Sequence, residues 1–153
     1  MNKQDFIAHF REPLFIPEMQ ATHKDEAIQE LLQVFVDEKF IRNPEIVLEM
    51  LRQRETLGST GIGKGVAIPH GRTVAASDVL VGFGRSAKGI DFESIDDKPV
   101  TLFFMVISPP HDEGNIYLPI LGSLVTVLNK DEKRNALQNV ETFEEFLQII
   151  SGE

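Results

Sequence analysis

The stretch that decides the fold runs from Arg54 to Arg72 and reads RETLGSTGIGKGVAIPHGR. It begins like the end of a helix, passes through a loop with four glycines, and becomes a short apolar run that stops at Pro69-His70-Gly71. Glycines that alternate along a loop allow positive φ angles and let backbone amides approach a guest closely. Concave arrays of such amides bind anions, and phosphate above all. The stretch therefore predicts an anion site beside one imidazole.

The side chains of this loop fit the same chemistry. Ser59 and Thr60 carry hydroxyl donors, and Gly61 and Gly63 lie at the centre of the amide array. His70 is the candidate nucleophile, because an imidazole that is neutral near physiological pH attacks phosphorus readily. We therefore predict that the loop binds phosphate and that the imidazole accepts a phosphoryl group. The alternative is a hydrogen-bonded histidine that only ends a strand.

The segment from Gly58 to Gly65 resembles a nucleotide-binding P-loop but lacks two of its requirements. The eighth position of a P-loop holds Ser or Thr for Mg²⁺, whereas here it is Gly65. A P-loop also follows a strand and opens a helix, and this loop has the reverse order. The sequence therefore argues against an ATP site. It contains no cluster of metal ligands, so we expect neither a cofactor nor a metal.

The combination of Arg54-Glu55, GSTG at 58–61 and AIPHG at 67–71 resembles a known signature. It is that of the fructose/mannitol-type enzyme IIA domain of the sugar phosphotransferase system (PTS EIIA type-2), a family that includes nitrogen-regulatory IIA-like proteins. The resemblance implies that residues 1–153 form one IIA domain. It implies that His70 accepts phosphate from a histidine-containing phosphocarrier protein and passes it to a IIB component. Alternatively, its phosphorylation state would control binding to a transporter or kinase.

The resemblance also assigns Arg54 to phosphate stabilisation, where periodicity alone favours an ordinary arginine that either pairs with a nearby carboxylate or extends outward to water. It implies a second histidine near the start of the helix after the buried strand, and that place holds Tyr117. Either its phenolic O–H or the loop residue His111, six positions earlier, is the candidate substitute. Lys64 and Arg72 are predicted rim residues that help partners dock. If neither substitute works, phosphoryl transfer is expected to be slow, and a regulatory protein that senses phosphorylation is favoured over a phosphocarrier. The third alternative is a scaffold that keeps the fold without phosphoryl transfer.

Composition limits the remaining possibilities. The chain has 153 residues, no cysteine and a formal net charge of −9. This length fits one domain with its own core, and the lack of cysteine excludes disulfide and thiol chemistry. The negative charge argues against nucleic acid, whose binding needs clustered Lys and Arg. The first residues lack a signal-peptide pattern and no apolar run approaches about 20 residues, so we expect a cytoplasmic protein without membrane insertion.

The apolar pattern predicts an α/β fold: a single domain whose central mixed β-sheet has helices packed on both faces. Residues 100–107 are almost continuously apolar, which is typical of a strand covered on both sides. Other strands are predicted at 14–16 and 79–83, and residues 89–92 are interpreted as a turn with a short extended piece. Helices are predicted at 3–10, 22–38, 43–58, around 121–128, from 131, and from 142.

Local signals support several of these helices. Thr22 with Asp25, and Thr142 with Glu145, have the spacing of a residue that caps a helix N-terminus and its partner three positions on. Pro44 suits the first position of a helix, where its missing N–H costs little. Arg54 falls one turn beyond an apolar position of the helix that contains it, which places it on the inward side.

Overall fold

The computed structural model describes residues 1–152 and shows one mixed β-sheet with helices on both faces. The helices within this range are α1 (Lys3–Ile7), α2 (Lys24–Asp37), α3 (Pro44–Thr56), α4 (Tyr117–Leu128), α5 (Asp131–Leu137) and α6 (Phe143–Ser151). The strands are β1 (Phe10–Ile16), β2 (Gly61–Gly63), β3 (Val66–Ala67), β4 (His70–Arg72), β5 (Leu80–Ile90) and β6 (Val100–Ser108). The predicted α/β class is confirmed.

Strand β6 is the centre of the sheet. The strands lie in the order β1-β5-β6-β3-β2, and β4 also pairs with β6. The β5–β6 pair is antiparallel, whereas β1 runs parallel to β5, and β3 and β4 run parallel to β6. Almost every residue of β6 is buried, as its continuous apolar sequence predicts.

The sheet separates two hydrophobic clusters. Residues of α2 and α3 pack on one face, where Leu51 joins Phe103 of β6. Residues of α1, α4, α5 and α6 pack on the other face, where Leu124 joins Phe104. Successive β6 residues thus serve opposite clusters, because side chains alternate along a strand.

Strands β3 and β4 form one interrupted row along β6. Val66 lies opposite Leu102 at one end of the row, and His70 lies opposite Val106 at the other. The row is interrupted next to Pro69, because proline has no N–H to donate to the hydrogen bonds between strands. Among the described residues β4 pairs with β6 alone, so His70 emerges at an open edge of the sheet.

Some element boundaries differ from the predicted ones. The N-cap of α2 is His23, because the Thr22 hydroxyl donates to the Glu26 carboxylate instead of accepting from the helix. Strand β5 continues through the predicted turn at 89–92 as far as Ile90. Gly89 (φ 81°) lies within the strand, at an irregularity in the pairing with β6.

Other signals have the predicted outcome. The Thr142 hydroxyl accepts from the Glu145 N–H at 3.1 Å and caps α6. Pro44 opens α3.

Strand β1 starts earlier than predicted and contains Pro13, which is tolerated because β1 lies at the sheet edge. No helix among the described residues combines the length and apolar character that crossing a membrane requires.

Candidate functional site

A surface depression of about 460 Å³ lies at the sheet edge where His70 emerges. Three elements meet there: the end of α3, strand β4 and the start of α4. The lining residues are Met50, Gln53, Arg54, Leu57, His70, Gly71, Arg72 and Tyr117. The structure therefore brings four of the predicted site residues together, namely Arg54, His70, Arg72 and Tyr117.

The ring of His70 is held in one tautomer. Its Nδ1 lies 2.6 Å from the carbonyl oxygen of Ile68. A carbonyl can only accept a hydrogen bond, so Nδ1 carries the proton of the neutral ring and Nε2 keeps its lone pair. The side chain is half-buried and lines the depression. The ring nitrogen of His70 that keeps a free lone pair is therefore Nε2.

Close packing of α3 on β4 brings Arg54 to this histidine. Gly71 and Ile107 lie opposite each other, on the face that α3 covers. A Cβ atom at Gly71 would lie 2.0 Å from Sδ of Met50, so a larger residue would force the Met50 side chain to move. The space that glycine leaves at this position is filled by the Met50 side chain. Arg54, one turn further along α3, consequently reaches the same depression.

Arg54 is anchored by the loop that follows its own helix. Its Nη1 donates to the carbonyl oxygen of Gly58 at 2.8 Å. A cation at this end of a helix is also favoured by the helix dipole. Within residues 1–152 no carboxylate forms an ion pair with Arg54, so the alternative of an ion-paired structural arginine is not what the structure shows.

Tyr117 lies beside His70, with 6.4 Å between the ring centroids. It is 7% exposed, and burial raises its pKa; the charges of Arg72 and Arg54 lower it by less. The phenol is therefore neutral at ordinary pH and can donate a hydrogen bond. Asp112 fixes the start of α4 by accepting the Tyr117 N–H at 2.7 Å. Sequence reasoning missed this carboxylate, because Asp112 lies five residues before Tyr117 and thus outside the usual N-cap position.

His111, the other candidate for the second histidine, lies elsewhere. It is exposed in the loop after β6 and lines a neighbouring depression with Asp112 and Glu113. Arg72 borders both depressions, whereas His111 does not line the one that contains His70. Among residues 1–152 no group of three or more His, Asp or Glu side chains is arranged to hold a metal.

The predicted array of phosphate-binding amides is used internally. The N–H of Gly61 donates to Ser59 Oγ at 3.0 Å, and that of Gly63 to Ser94 Oγ at 3.1 Å. The N–H of Lys64 donates to Asp96 at 2.9 Å. These residues form β2 and the turn into β3, at the far end of the row from His70. The structure brings neither this array nor Lys64 to the depression.

The two hydroxyl donors are also engaged in the fold. Ser59 donates to the carbonyl oxygen of Phe92 at 2.6 Å. Both the N–H and the hydroxyl of Thr60 donate to the carboxylate of Glu55. The Glu55 side chain is 7% exposed and pairs with Lys24 at 3.1 Å. Glu55 thus ties the loop to α2 and α3, a role that no local motif in the sequence predicts.

The fold and the site define a class: an α/β domain that presents one imidazole at a sheet edge, with two guanidinium groups in the same depression. Positive charge placed around a nucleophile is what phosphoryl transfer requires of a protein. Comparison with known proteins gives the same class. The family model for the "Phosphoenolpyruvate-dependent sugar phosphotransferase system, EIIA 2" matches residues 8–153.

Individual proteins of two kinds resemble the chain. The fructose-specific EIIA component of Haloferax volcanii is 40% identical over 119 residues, which cover 78% of this chain and 77% of that protein. A nitrogen regulatory protein of Bradyrhizobium diazoefficiens is 36% identical over 117 residues, which cover 76% and 75%. The structure of the nitrogen regulatory protein IIA-Ntr from Neisseria meningitidis matches with a TM-score of 0.85 and 29% identity, covering 94% of this chain and 97% of that one.

The chain also matches part of a longer protein. It spans 21% of the length of the fructose-specific EIIABC component of Bacillus subtilis, at 33% identity. The chain belongs to the EIIA type 2 family of the phosphoenolpyruvate-dependent sugar phosphotransferase system. It is thus a phosphotransferase-system component with a phosphocarrier or regulatory role.

Proposed function

We propose that the protein is a phosphohistidine phosphocarrier of the sugar phosphotransferase system. His70 accepts a phosphoryl group from a histidine-containing phosphocarrier protein and passes it to a IIB component. The observation that carries the proposal is the fixed tautomer of His70, which leaves Nε2 unprotonated in a depression lined by two arginines. We place both steps in the cytoplasm as part of this proposal.

The chemistry follows from this arrangement. The Nε2 lone pair forms the new N–P bond while the bond between phosphorus and the donor imidazole breaks, and the electron pair of that bond stays on the donor. The proton on Nδ1 remains shared with the Ile68 carbonyl, which supports the positive charge that develops on the ring. Transfer to IIB reverses these changes, with His70 as the leaving group.

The test is incubation with phosphorylated carrier protein, followed by intact mass spectrometry and brief mild acid. We expect one acid-labile phosphoryl group, absent from His70→Ala. The matched control is His9→Ala, because Nδ1 of His9 also lies close to a carbonyl oxygen, that of Val79, at 2.8 Å. Retention of the group in His70→Ala, or its absence from the unaltered protein, would reject the phosphocarrier.

Arg54 is proposed to stabilise the phosphoryl oxygens during transfer. Removal of one well-placed donor typically costs about 3 kcal/mol in the transition state, so Arg54→Ala should slow transfer about a hundredfold. The control is Arg52→Ala on the same helix, because Arg52 is paired with Asp25 outside the depression. Equal rates for the two variants would remove Arg54 from the mechanism.

A regulatory role is the second candidate, and the similarity to nitrogen regulatory proteins favours it. Here the phosphorylation state of His70 controls binding to a transporter or kinase, and onward transfer is secondary. A partner should bind the unphosphorylated protein and its His70→Ala variant, and lose affinity when His70 is phosphorylated or replaced by Asp. Rapid transfer to a IIB component, together with equal binding of all forms to any transporter or kinase, would favour the phosphocarrier.

A further inference from the structure

Arg72 is placed to act on the same group as His70. The two residues are two positions apart on β4, so their side chains leave the same face of the sheet. Their partners on β6 are Val106 and Ser108, and Val106 belongs to the cluster beneath α4. Arg72 therefore enters the depression from the α4 side, while Arg54 enters from α3.

Two contacts hold the guanidinium of Arg72, although the residue as a whole is exposed. Its Cζ lies 4.6 Å from the centroid of the Tyr117 ring, which is a cation–π contact. Its Nη1 donates to the carbonyl oxygen of Pro110 at 3.2 Å. A guanidinium has five N–H donors, so the Pro110 bond leaves others for an anion. The stack on Tyr117 restricts a side chain that would otherwise sample many rotamers.

Tyr117 is itself rigidly held. It is 7% exposed, and its backbone N–H is bound by Asp112. Its phenol is neutral, so it adds no negative charge to the depression. A buried ring in this position offers a fixed platform for the planar guanidinium of Arg72.

The depression is locally basic in an acidic protein. The chain carries 24 acidic and 15 basic residues, yet none of the eight lining residues is acidic. Within residues 1–152 neither Arg54 nor Arg72 forms an ion pair with a carboxylate. The guanidinium groups of Arg54 and Arg72 can therefore attract an oxyanion beside the imidazole. The anion would form the charged hydrogen bonds that a carboxylate forms with a paired arginine.

We propose that Arg72 is a second phosphate-binding residue of the site and that Tyr117 is the positioning residue that holds it. A phosphate group beside Nε2 of His70 is bound between the guanidinium groups of Arg54 and Arg72. This inference rests on the proposed role of His70 as the phosphoryl acceptor and extends it, since the sequence predicted only a docking role for Arg72.

The test uses inorganic phosphate and the unphosphorylated protein, with the ring signals of His70 followed by NMR. Phosphate should shift these signals in a saturable manner. Arg72→Gln should weaken phosphate binding about tenfold or more, as expected for the loss of a hydrogen bond to a charged group. Lys88→Gln, which removes an exposed cation on β5, should leave the affinity unchanged.

The positioning role of Tyr117 is tested in the same titration. Tyr117→Phe keeps the ring face and should bind phosphate within about twofold of the unaltered protein, whereas Tyr117→Leu should resemble Arg72→Gln. The double variant Arg72→Gln/Tyr117→Leu should be no weaker than Arg72→Gln alone, because residues that act through each other are not additive. Additive losses, or a large loss in Tyr117→Phe, would overturn the positioning role.

The outcomes separate this inference from the proposed function. Unchanged phosphate affinity in Arg72→Gln, or no effect of phosphate on His70, overturns the inference even if carrier protein phosphorylates His70. Arginine-dependent phosphate binding in a protein that never gains a phosphoryl group supports the anion site and rejects the phosphocarrier.

Discussion

Two ion pairs join α2 to α3, and they differ in burial. Lys24 and Glu55 are 3.1 Å apart, with side chains 19% and 7% exposed. Asp25 and Arg52 are 2.7 Å apart, with side chains 50% and 43% exposed. The buried carboxylate also accepts two hydrogen bonds from Thr60. The structure therefore predicts that Glu55 contributes much more to stability than Arg52, although the exposed pair has the shorter distance.

Glu55→Ala should lower the free energy of unfolding by about 3 kcal/mol. Each hydrogen bond from Thr60 to the charged acceptor contributes about 1.5 kcal/mol at the low end of the usual range, and two such bonds are lost. Lys24 adds little to this figure, because Glu93 remains as its partner at 3.4 Å. Glu55→Gln retains an oxygen that can accept one bond, so its loss should be about half as large.

Urea unfolding followed by circular dichroism measures this difference. With a slope of about 2 kcal/mol per molar urea, Glu55→Ala should lower the midpoint by about 1.5 M. Arg52→Ala is the control, and its midpoint should change far less, because exposed ion pairs are screened by water. Equal shifts for Glu55→Ala and Arg52→Ala would refute the reasoning that burial and the Thr60 bonds determine the contribution.

Three further predictions concern the depression and the helix ends. Gly71→Ala should destabilise the fold by about 1 to 3 kcal/mol in the same unfolding assay, because the added Cβ meets the flexible Met50 side chain. Adding Met50→Ala should relieve that loss, and no relief would contradict the packing described. Tyr117 is the only tyrosine and there is no tryptophan, so tyrosinate absorbance should show a midpoint above the ordinary value of about 10 in folded protein and a normal one in urea. Since the folded pKa is the higher one, stability should fall as pH rises above about 10, and Tyr117→Phe should remove this part of the loss; a normal folded midpoint would contradict the burial effect. Thr142→Ala should cost about 1 kcal/mol by thermal or urea unfolding, whereas Thr22→Ala, which removes no helix cap, should cost less. Equal losses would contradict the extra contribution expected from the cap at Thr142.

The sequence predicts elements well where one local signal is sufficient. The continuous apolar run at 100–107 predicts β6, and Pro44 together with Gly58 brackets α3 closely. Thr142 and Thr22 have equivalent spacings to an acidic partner, yet only Thr142 caps a helix. The difference depends on which residue leaves the helical conformation first, and spacing does not determine that.

The site is predicted less completely, for a physical reason. Alternating glycines indicate unusual backbone angles and close approach, and a hairpin needs these properties as much as an anion cradle does. Ser94 and Asp96 accept hydrogen bonds from the backbone N–H groups of Gly63 and Lys64. These acceptors lie about thirty residues away in sequence, so the sequence alone does not show that the N–H groups are already hydrogen-bonded. The approach of Arg54 to His70 is predictable from helix periodicity and the family resemblance.

In the proposed reaction, the bond between Nδ1 of His70 and the Ile68 carbonyl also determines which regioisomer of phosphohistidine forms. Phosphorylation of the remaining ring nitrogen gives the tele isomer, because the pros position is blocked by the main chain. The two isomers differ in which ring nitrogen carries the phosphorus, so an antibody selective for one isomer should not recognise the other. An antibody raised against the pros form would therefore miss the phosphorylated protein, and only one raised against the tele form would detect it.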